Sequence, residues 1–232
     1  MHNLQLFHGT DHIIEIPDIN VGNPHNDYGK GFYCTKNMDL ACEWACKNDT
    51  NGFVNIYNIN IKDLRILNLL DGNYTVLNWI ALLLQHRTFT LNSQIAIDAR
   101  NYIIENFSID ISKYDIVIGY RADDSYFQYA ESFVSNSLSL RGLNKALYLG
   151  KLGEQTVIIS PKGFEKVKFI EAQSVNKTIF YPKFLSRDTQ ARSAYSKEIK
   201  NTKIYQDDIF VLDILREEMK NDDPRLQRIL FK

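Results

Sequence analysis

The sequence predicts an α+β fold, because strand patterns and helix patterns follow one another without a regular strand–helix–strand repeat. Residues Phe53–Ile61 alternate apolar and polar side chains, which is typical of a strand with one buried face. Residues Tyr74–His86 and Ser93–Phe107 instead carry apolar side chains at helical spacing. At 232 residues the chain is long enough to bury a sizeable core.

The first fifty residues are predicted to form two strands and a helix. Leu4–His8 alternates apolar and polar residues, as a strand does. The dense glycines of Gly29–Gly31 mark backbone that turns sharply or lies close to a ligand. The aromatic, β-compatible residues Phe32–Thr35 follow as a short strand. Asn37 is then placed to cap a helix over about Met38–Lys47.

The segment up to Val175 contains the remaining strands and helices of the predicted domain. Further strands are predicted in short apolar or alternating runs at Leu64–Leu70, Tyr114–Gly119, Gln155–Ser160 and Val167–Val175. Further helices are predicted at Asp124–Ser135 and Leu138–Leu149. Pro161–Gly163 has turn chemistry and is expected to join the last two strands by a turn.

After Val175 the charge pattern changes, so we predict a domain over residues 1–175 and a C-terminal helical extension over 176–232. Lys177–Lys203 has seven basic residues against two acidic, whereas Asp207–Asp223 has seven acidic residues against two basic. Two interpretations stay open. The extension is a charged helical appendage packed on the domain, or it is a docking surface for a modified target or a neutralising partner.

Composition limits the class of protein. Hydrophobic residues make up 44% of the chain and charged residues 24%, and the net charge of −1 gives no argument for nucleic acid or membrane partners. No apolar run approaches the roughly 20 residues of a membrane span. The N-terminus lacks the features of a signal peptide. We therefore expect a soluble, cytoplasmic protein with no membrane partner.

The three cysteines are predicted to be buried free thiols. Cys42 and Cys46 lie four residues apart on the predicted helix, a spacing suited to packing, and Cys34 lies on the preceding strand. No cluster of histidines or cysteines completes a metal site, so we expect no metal.

Two motifs carry a resemblance to a known family. LFHGT at Leu6–Thr10, followed by GKGFYCT at Gly29–Thr35, resembles the first two signatures of the ADP-ribosyltransferase fold. The branch is the His–Tyr branch, shared by diphtheria-type toxins and poly(ADP-ribose) polymerases. The resemblance is closest to small bacterial ADP-ribosyltransferase-like toxin domains and covers roughly Leu4–Val175. It implies a split mixed β-sheet core with flanking helices and a reaction in which NAD is the substrate.

The resemblance also implies roles for residues of the two motifs. His8 would hold the adenosine-side ribose of NAD, and the backbone of Gly9 would bond the nicotinamide amide, with Thr10 next to them in the motif. Tyr33 would stack on the nicotinamide ring. Trp44 matches the family's second aromatic residue, and two interpretations of it stay open, a clamp on the ring or a core residue.

A third position is implied on the predicted strand at Gly153–Ser160, where the family usually has a glutamate that holds the nicotinamide-side ribose. Neighbouring strand residues face opposite sides, so only one of Glu154 and Gln155 points into the cleft. The polymerases favour Glu154, whereas the bacterial relatives favour Gln155, which we prefer. A neutral glutamine gives no charge-assisted bond and cannot act as a base, so we expect slow or single transfer. Lys30 is either a solvated turn residue or a contact to an NAD phosphate.

Three functions are therefore compatible with the sequence. The first is a mono-ADP-ribosyltransferase, a toxin of a toxin–antitoxin or anti-phage system, which modifies a protein or nucleic acid and is neutralised by an antitoxin protein. The second is an NAD glycohydrolase with water as the acceptor. The third is a catalytically silent module that binds NAD or ADP-ribose and acts through its C-terminal extension.

Overall fold

The computed structural model describes residues 2–122, 124–149, 153–201, 203 and 205–226, and its mixture of strands and helices confirms the α+β class. The described strands are β1 (Asn3–Thr10), β2 (Phe32–Cys34), β3 (Gly52–Asn60), β4 (Ile66–Asn68), β5 (Ile116–Tyr120), β6 (Glu154–Ile158) and β7 (Val167–Val175). The described helices are α1 (Met38–Ala45), α2 (Val76–His86), α3 (Gln94–Phe107), α4 (Asp124–Val134), α5 (Leu140–Leu149), α6 (Pro161–Glu165), α7 (Lys177–Asn201) and α8 (Val211–Arg216).

The strands form two sheets that are joined at one point. The first sheet has the order β1-β3-β7 and is antiparallel throughout. The second has the order β2-β6-β5-β4, in which only β4 and β5 run parallel. Between the two, Phe7 of β1 pairs with Thr35 through backbone hydrogen bonds of 2.8 and 2.9 Å. In the described chain β1 and β2 pair nowhere else, so a cleft opens beside this bridge.

Helix α2 forms the centre of the main core. Its residues from Val76 to Leu84 are all buried, so the helix is enclosed on every face. Trp79, one of the largest buried side chains, donates its indole N–H to the carbonyl of Tyr120 over 3.2 Å. Buried in this way, α2 brings Arg87, the residue after its last turn, to a fixed place beside the cleft.

The predicted buried thiols are confirmed. Cys34, Cys42 and Cys46 are all free and buried. Burial raises the pKa of the Cys42 thiol to about 11 and raises the pKa of the other two as well. The three thiols are therefore protonated at neutral pH and serve as small apolar side chains.

Two local predictions differ from the structure. Pro161–Gly163 was expected to form a turn but begins helix α6, because Ser160 accepts a hydrogen bond from the Gly163 N–H and proline suits the first helical turn. The strand expected at Leu64–Leu70 is shorter, since only Ile66–Asn68 pairs with β5. The capping role predicted for Asn37 is confirmed, because its side chain accepts from the N–H of Leu40.

The C-terminal extension packs on the rest of the chain. Helix α7 contacts α1, α4 and α5, and α8 contacts α3. Val211 and Ile214 of α8 belong to the same buried cluster as α2. The acidic segment is helical only in α8, because Glu218 adopts a φ of +50° that a helix does not continue through. Residues 202, 204 and 227–232 of the predicted extension lie outside the described residues, and the boundary at residue 175 stays a prediction.

Within the described residues, no helix combines the length and the apolar character that crossing a membrane requires.

A buried ion pair fixes α7 to α1. The side chain of Glu43 is only 3% exposed, and the Arg187 guanidinium donates to both of its carboxylate oxygens, at 2.7 and 2.8 Å. Two-point contact of this kind is the strongest geometry for a guanidinium and a carboxylate. Glu43 precedes Trp44, so the pair also holds the helix that carries this aromatic residue.

We predict that Arg187→Ala lowers the free energy of unfolding by about 3 kcal/mol, because it leaves the buried Glu43 carboxylate unpaired. The lower end of the usual range applies, since 29% of the Arg187 side chain is exposed. Urea denaturation measures the change. The control is Arg192→Ala in the same helix, whose exposed pair with Asp188 is worth less than about 1 kcal/mol. Equal effects of the two substitutions would contradict the assignment.

Candidate functional site

A cavity of about 250 Å³ lies in the cleft between the two sheets. It is lined by residues of both sheets, of α1 and of the segments around them: His8, Gly9, Asn26, Asp27, Tyr33, Trp44, Lys47, Arg87, Arg121, Ala122 and Gln155. Five of the predicted site residues, His8, Gly9, Tyr33, Trp44 and Gln155, thus come together in one place.

His8 is held in a single tautomer. Its Nδ1 lies 2.7 Å from the carbonyl oxygen of Tyr33, and since a carbonyl only accepts, Nδ1 carries the proton. Burial lowers the pKa of His8, so the ring is neutral and its Nε2 is a hydrogen-bond acceptor. The ring packs on Phe32 with centroids 4.6 Å apart, which fixes its plane. His8 therefore offers an acceptor suited to a hydroxyl group.

Gly9 is required by the close approach of α1. A Cβ atom at this position would lie 1.8 Å from the carbonyl oxygen of Ala41 and 2.8 Å from the backbone nitrogen of Ala45. Backbone groups two residues apart on a strand face the same neighbour. Because Phe7 pairs with Thr35, the backbone groups of Gly9 face the side on which β2 has diverged. Gly9 thereby presents peptide groups to the cavity.

Tyr33 is fixed by the loop that precedes it. Its hydroxyl donates to the carbonyl of Gly29 over 2.7 Å and accepts from the N–H of Tyr28 over 3.0 Å. Burial raises the pKa of Tyr33 well above its usual range, so the hydroxyl stays protonated and keeps both bonds. Gly29 has a φ of +71°, the left-handed conformation that favours glycine. The GKG turn therefore sets the position of the Tyr33 ring.

Asp27 connects four segments of the chain around the cavity. Its side chain is 4% exposed, and its Oδ1 accepts from Nε and Nη2 of Arg87 at 2.9 and 2.7 Å. Its Oδ2 accepts from the backbone N–H of Ala122 at 2.9 Å and from Nε2 of Gln155 at 2.8 Å. Four hydrogen bonds satisfy this buried carboxylate, which would otherwise be costly to bury.

Of the two candidates on β6, Gln155 faces the cavity and Glu154 is exposed to solvent. The Gln155 amide is oriented by chemistry, because both neighbours of its Nε2, the Asp27 carboxylate and the Tyr120 carbonyl, only accept. Its Oε1 is then the atom left to accept a hydrogen bond from a bound group.

Another part of the lining combines an aromatic ring with positive charge. Trp44 lines the cavity, and the Arg121 guanidinium lies 5.4 Å from the centre of its ring. The Trp44 Nε1 is buried with no hydrogen-bond partner among the described residues. Buried polar atoms of this kind are uncommon and call for an explanation. Lys47, which is exposed, adds a second cation at the edge of the cavity.

Three predicted site residues lie outside the cavity lining. Lys30 is exposed, and its chain packs beside Gly22, so the structure favours a solvated turn residue. Thr10 donates its hydroxyl to Asp11 over 3.2 Å instead of facing the cavity. Glu154 points to solvent.

Sequence reasoning did not single out several lining residues: Asn26, Asp27, Lys47, Arg87, Arg121 and Ala122. Asp27 lies two residues before the GKGFYCT motif, so its closeness to that motif could have identified it. Arg87 is 60 residues away from its partner Asp27, and no local pattern predicts this pairing.

The lining combines neutral acceptors, backbone groups, an aromatic wall and cations, which suits a ligand with hydroxyl groups, a flat ring and negative charge. Among the described residues, no group of three or more His, Cys, Asp or Glu side chains is placed to hold a metal ion.

The contact between Gln155 and Asp27 explains why β6 carries a glutamine here. We predict that Gln155→Glu lowers the free energy of unfolding by about 3 kcal/mol at neutral pH, because two carboxylates would meet in a buried site. The penalty shrinks as the pH falls, since protonation of one carboxyl removes the repulsion. Urea denaturation at several pH values measures this.

The exposed neighbour provides the matched control, because Glu154→Gln changes the charge on the same strand and leaves stability within about 0.5 kcal/mol of wild type. The double variant Asp27→Asn/Gln155→Glu recovers part of the loss. A Gln155→Glu variant as stable as wild type at neutral pH would show that the contact does not constrain this position.

Comparisons with known proteins identify a family. No curated protein and no solved structure matches the chain. A family model described as "Protein of unknown function (DUF3990)" matches residues 4–169, a span that includes every residue lining the cavity. This match covers more than half of the 232 residues. The chain therefore belongs to the DUF3990 family.

Proposed function

We propose that the chain is an NAD-dependent mono-ADP-ribosyltransferase that cleaves the bond between nicotinamide and ribose and transfers ADP-ribose to a macromolecule. The observation that carries the proposal is the convergence of His8, Gly9, Tyr33, Trp44 and Gln155 on one cavity. The role as a bacterial toxin, countered by an antitoxin, rests on the resemblance of the HGT and GKGFY motifs alone.

Six of the cavity residues match requirements of NAD binding. The neutral Nε2 of His8 accepts a hydrogen bond from a ribose hydroxyl, and the backbone of Gly9 forms hydrogen bonds with the nicotinamide amide. The rings of Tyr33 and Trp44 hold the flat nicotinamide between them. Arg121 and Lys47 supply positive charge for the diphosphate.

In the proposed reaction the C–N bond between the ribose and nicotinamide breaks, and its electron pair leaves with nicotinamide, which becomes neutral. The positive charge then lies on the ribose. A lone pair of the acceptor forms the new bond to the same ribose carbon, and the acceptor's proton passes to water. The Oε1 of Gln155 accepts a hydrogen bond from a ribose hydroxyl. The Asp27 carboxylate, which accepts from Nε2 of Gln155, keeps the amide in the orientation that leaves Oε1 available.

A catalytically silent NAD-binding module is the alternative that one observation favours. The position where ADP-ribosyltransferases usually have a glutamate is the neutral Gln155, and the carboxylate that Gln155 contacts, Asp27, is already bonded to Arg87 and Ala122. Among the described lining residues, no other carboxylate is present to act as a base. This argues for slow chemistry or for binding alone.

NAD labelled in its adenosine half, incubated with the purified protein and cell extract, separates the candidates. Label on a macromolecule supports the transferase. Free ADP-ribose supports the glycohydrolase, and unchanged NAD that binds measurably supports the silent module. A protein that neither binds nor cleaves NAD would overturn all three.

We predict that His8→Ala and Tyr33→Ala each reduce NAD turnover about 100-fold, the usual effect of removing one positioning contact in an active site. His2→Ala, which removes an exposed imidazole from the same part of the chain, is the matched control and keeps wild-type turnover. Circular dichroism checks that the variants are folded. Folded His8 or Tyr33 variants with wild-type rates would refute the site.

We also predict that NAD affinity is constant from neutral pH down to 6.5 and falls only below it. Burial lowers the pKa of His8, and the nearby charges of His12 and Lys47 lower it further. The pKa of His8 in the folded protein is lower than its ordinary value of 6.5. The contribution of neutral His8 to folding stability and to NAD binding is therefore complete above pH 6.5 and is lost as the pH falls towards the pKa of the folded protein. Protonated Nε2 donates and no longer accepts a ribose hydroxyl.

Calorimetric titration of NAD across this pH range measures the effect. In His8→Gln the amide oxygen still accepts, so the acid loss disappears. An unchanged acid loss in that variant would assign the titration to another group.

A further inference from the structure

A second cavity of about 430 Å³ lies next to the first and shares Arg87 with it. It is lined by the end of α2, the segment after it and one face of α3: His25, Gln85, His86, Arg87, Thr88, Phe89, Leu91, Ile97 and Arg100. Its volume falls within the roughly 300–1,000 Å³ of ligand sites. No role assigned so far uses this cavity.

The unpaired positive charge in the described lining of the second cavity is that of Arg100. The other arginine, Arg87, is paired with Asp27, burial lowers the pKa of His86 so that its ring is neutral, and the described lining contains no carboxylate. The Arg100 guanidinium donates to the carbonyl of Leu84 at 3.1 Å and to the amide oxygen of Asn101 at 3.4 Å, and both are uncharged. The charge of Arg100 therefore has no opposing carboxylate in contact with it among these residues. Such a site favours an anion.

Another part of the lining is apolar. Phe89 is half-buried and packs edge-on against Phe127, with ring centroids 5.5 Å apart, and Leu91 lies beside it in the lining. Ile97 of α3 is 41% exposed at the edge of the same cavity. An aromatic ring held in place next to aliphatic groups is a platform on which a flat base stacks.

From this combination we infer that the second cavity binds one nucleotide unit of a single-stranded nucleic acid, with the phosphate on Arg100 and the base on the Phe89 wall. An acidic peptide side chain would use the cationic part and leave the apolar wall uncovered, so the nucleotide fits better. The net charge of −1 gives no general attraction to nucleic acid, so binding depends on this local site.

Because Arg87 lines both cavities, a nucleic acid bound in the second lies beside the first. This makes the nucleic acid the acceptor of ADP-ribose, a statement that rests on the proposed function. The binding itself does not depend on NAD cleavage.

Fluorescence anisotropy with a labelled single-stranded oligonucleotide tests the binding. We predict that Arg100→Ala weakens binding about tenfold, whereas Arg65→Ala, the loss of an exposed arginine outside both cavities, has no effect. A second matched pair avoids any damage to the fold. Ile97→Glu weakens binding at least about fivefold by repelling phosphate, and Ile95→Glu, 42% exposed on the same helix but outside the lining, does not.

Transfer of ADP-ribose to the nucleic acid is measured separately. Labelled NAD is expected to mark the oligonucleotide with the wild-type protein and with Ile95→Glu, but at least about fivefold less with Ile97→Glu, while nicotinamide release into water stays equal. Label on protein instead of the oligonucleotide would overturn the acceptor assignment.

The nucleotide site in the second cavity can be overturned independently of the proposed function. An oligonucleotide that does not bind, or that binds equally to all variants, would overturn it, as would Arg100-dependent binding of an acidic peptide alone. Arg100-dependent oligonucleotide binding without any NAD cleavage would support the cavity and defeat the proposed function. NAD cleavage without oligonucleotide binding would support the proposed function and overturn the nucleotide site in the second cavity.

Discussion

The candidate site depends on one buried carboxylate. Asp27 joins the GKG loop, the end of α2, the segment after β5 and strand β6 through four hydrogen bonds. These segments are far apart in the sequence, and the Asp27 carboxylate adds side-chain hydrogen bonds between them to the strand pairing that already joins β6 to β5 and β2. Taking a carboxylate out of water is costly, and only complete pairing with Arg87, Ala122 and Gln155 offsets that cost.

The same carboxylate decides the chemical character of the site. A negative charge lines the cavity, but it is on Asp27, whose carboxylate is already bonded to Arg87, Ala122 and Gln155. Gln155, which donates to that carboxylate, faces the cavity with a neutral amide oxygen. In the proposed reaction, a neutral oxygen would hold a ribose hydroxyl but stabilise a developing positive charge less well than a direct carboxylate does. The proposed function therefore predicts slow turnover.

Short, local motifs were sufficient to predict three of the residues that line the cavity. His8, Gly9 and Tyr33 lie in two compact patterns, and the glycines of those patterns have direct physical reasons, a left-handed φ at Gly29 and contact with α1 at Gly9. The alternation of side chains on a strand narrowed the third position to Glu154 or Gln155. The structure places the second of these in the cavity.

The residues that were missed take part in long-range pairings. Arg87 and Arg121 have no local pattern, because their partners are brought to them only by the folding of α2 and of the segment after β5. Element boundaries were missed for a similar reason. The turn expected at Pro161–Gly163 became a helix through a single capping hydrogen bond, and the acidic C-terminal run is helical over six residues only. The α+β class, by contrast, follows from periodicity over the whole chain and was predicted correctly.

The contact of Gly9 with α1 has one more consequence. Strand β1 carries His8, and α1 carries Trp44, so the spacing of these two walls is fixed by backbone atoms in direct contact and not by side chains that change rotamer. The width of the cleft on this side is therefore set by the backbone. Under the proposed function, thickness becomes the basis of selection at this wall, because a planar ring enters more readily than a bulkier group.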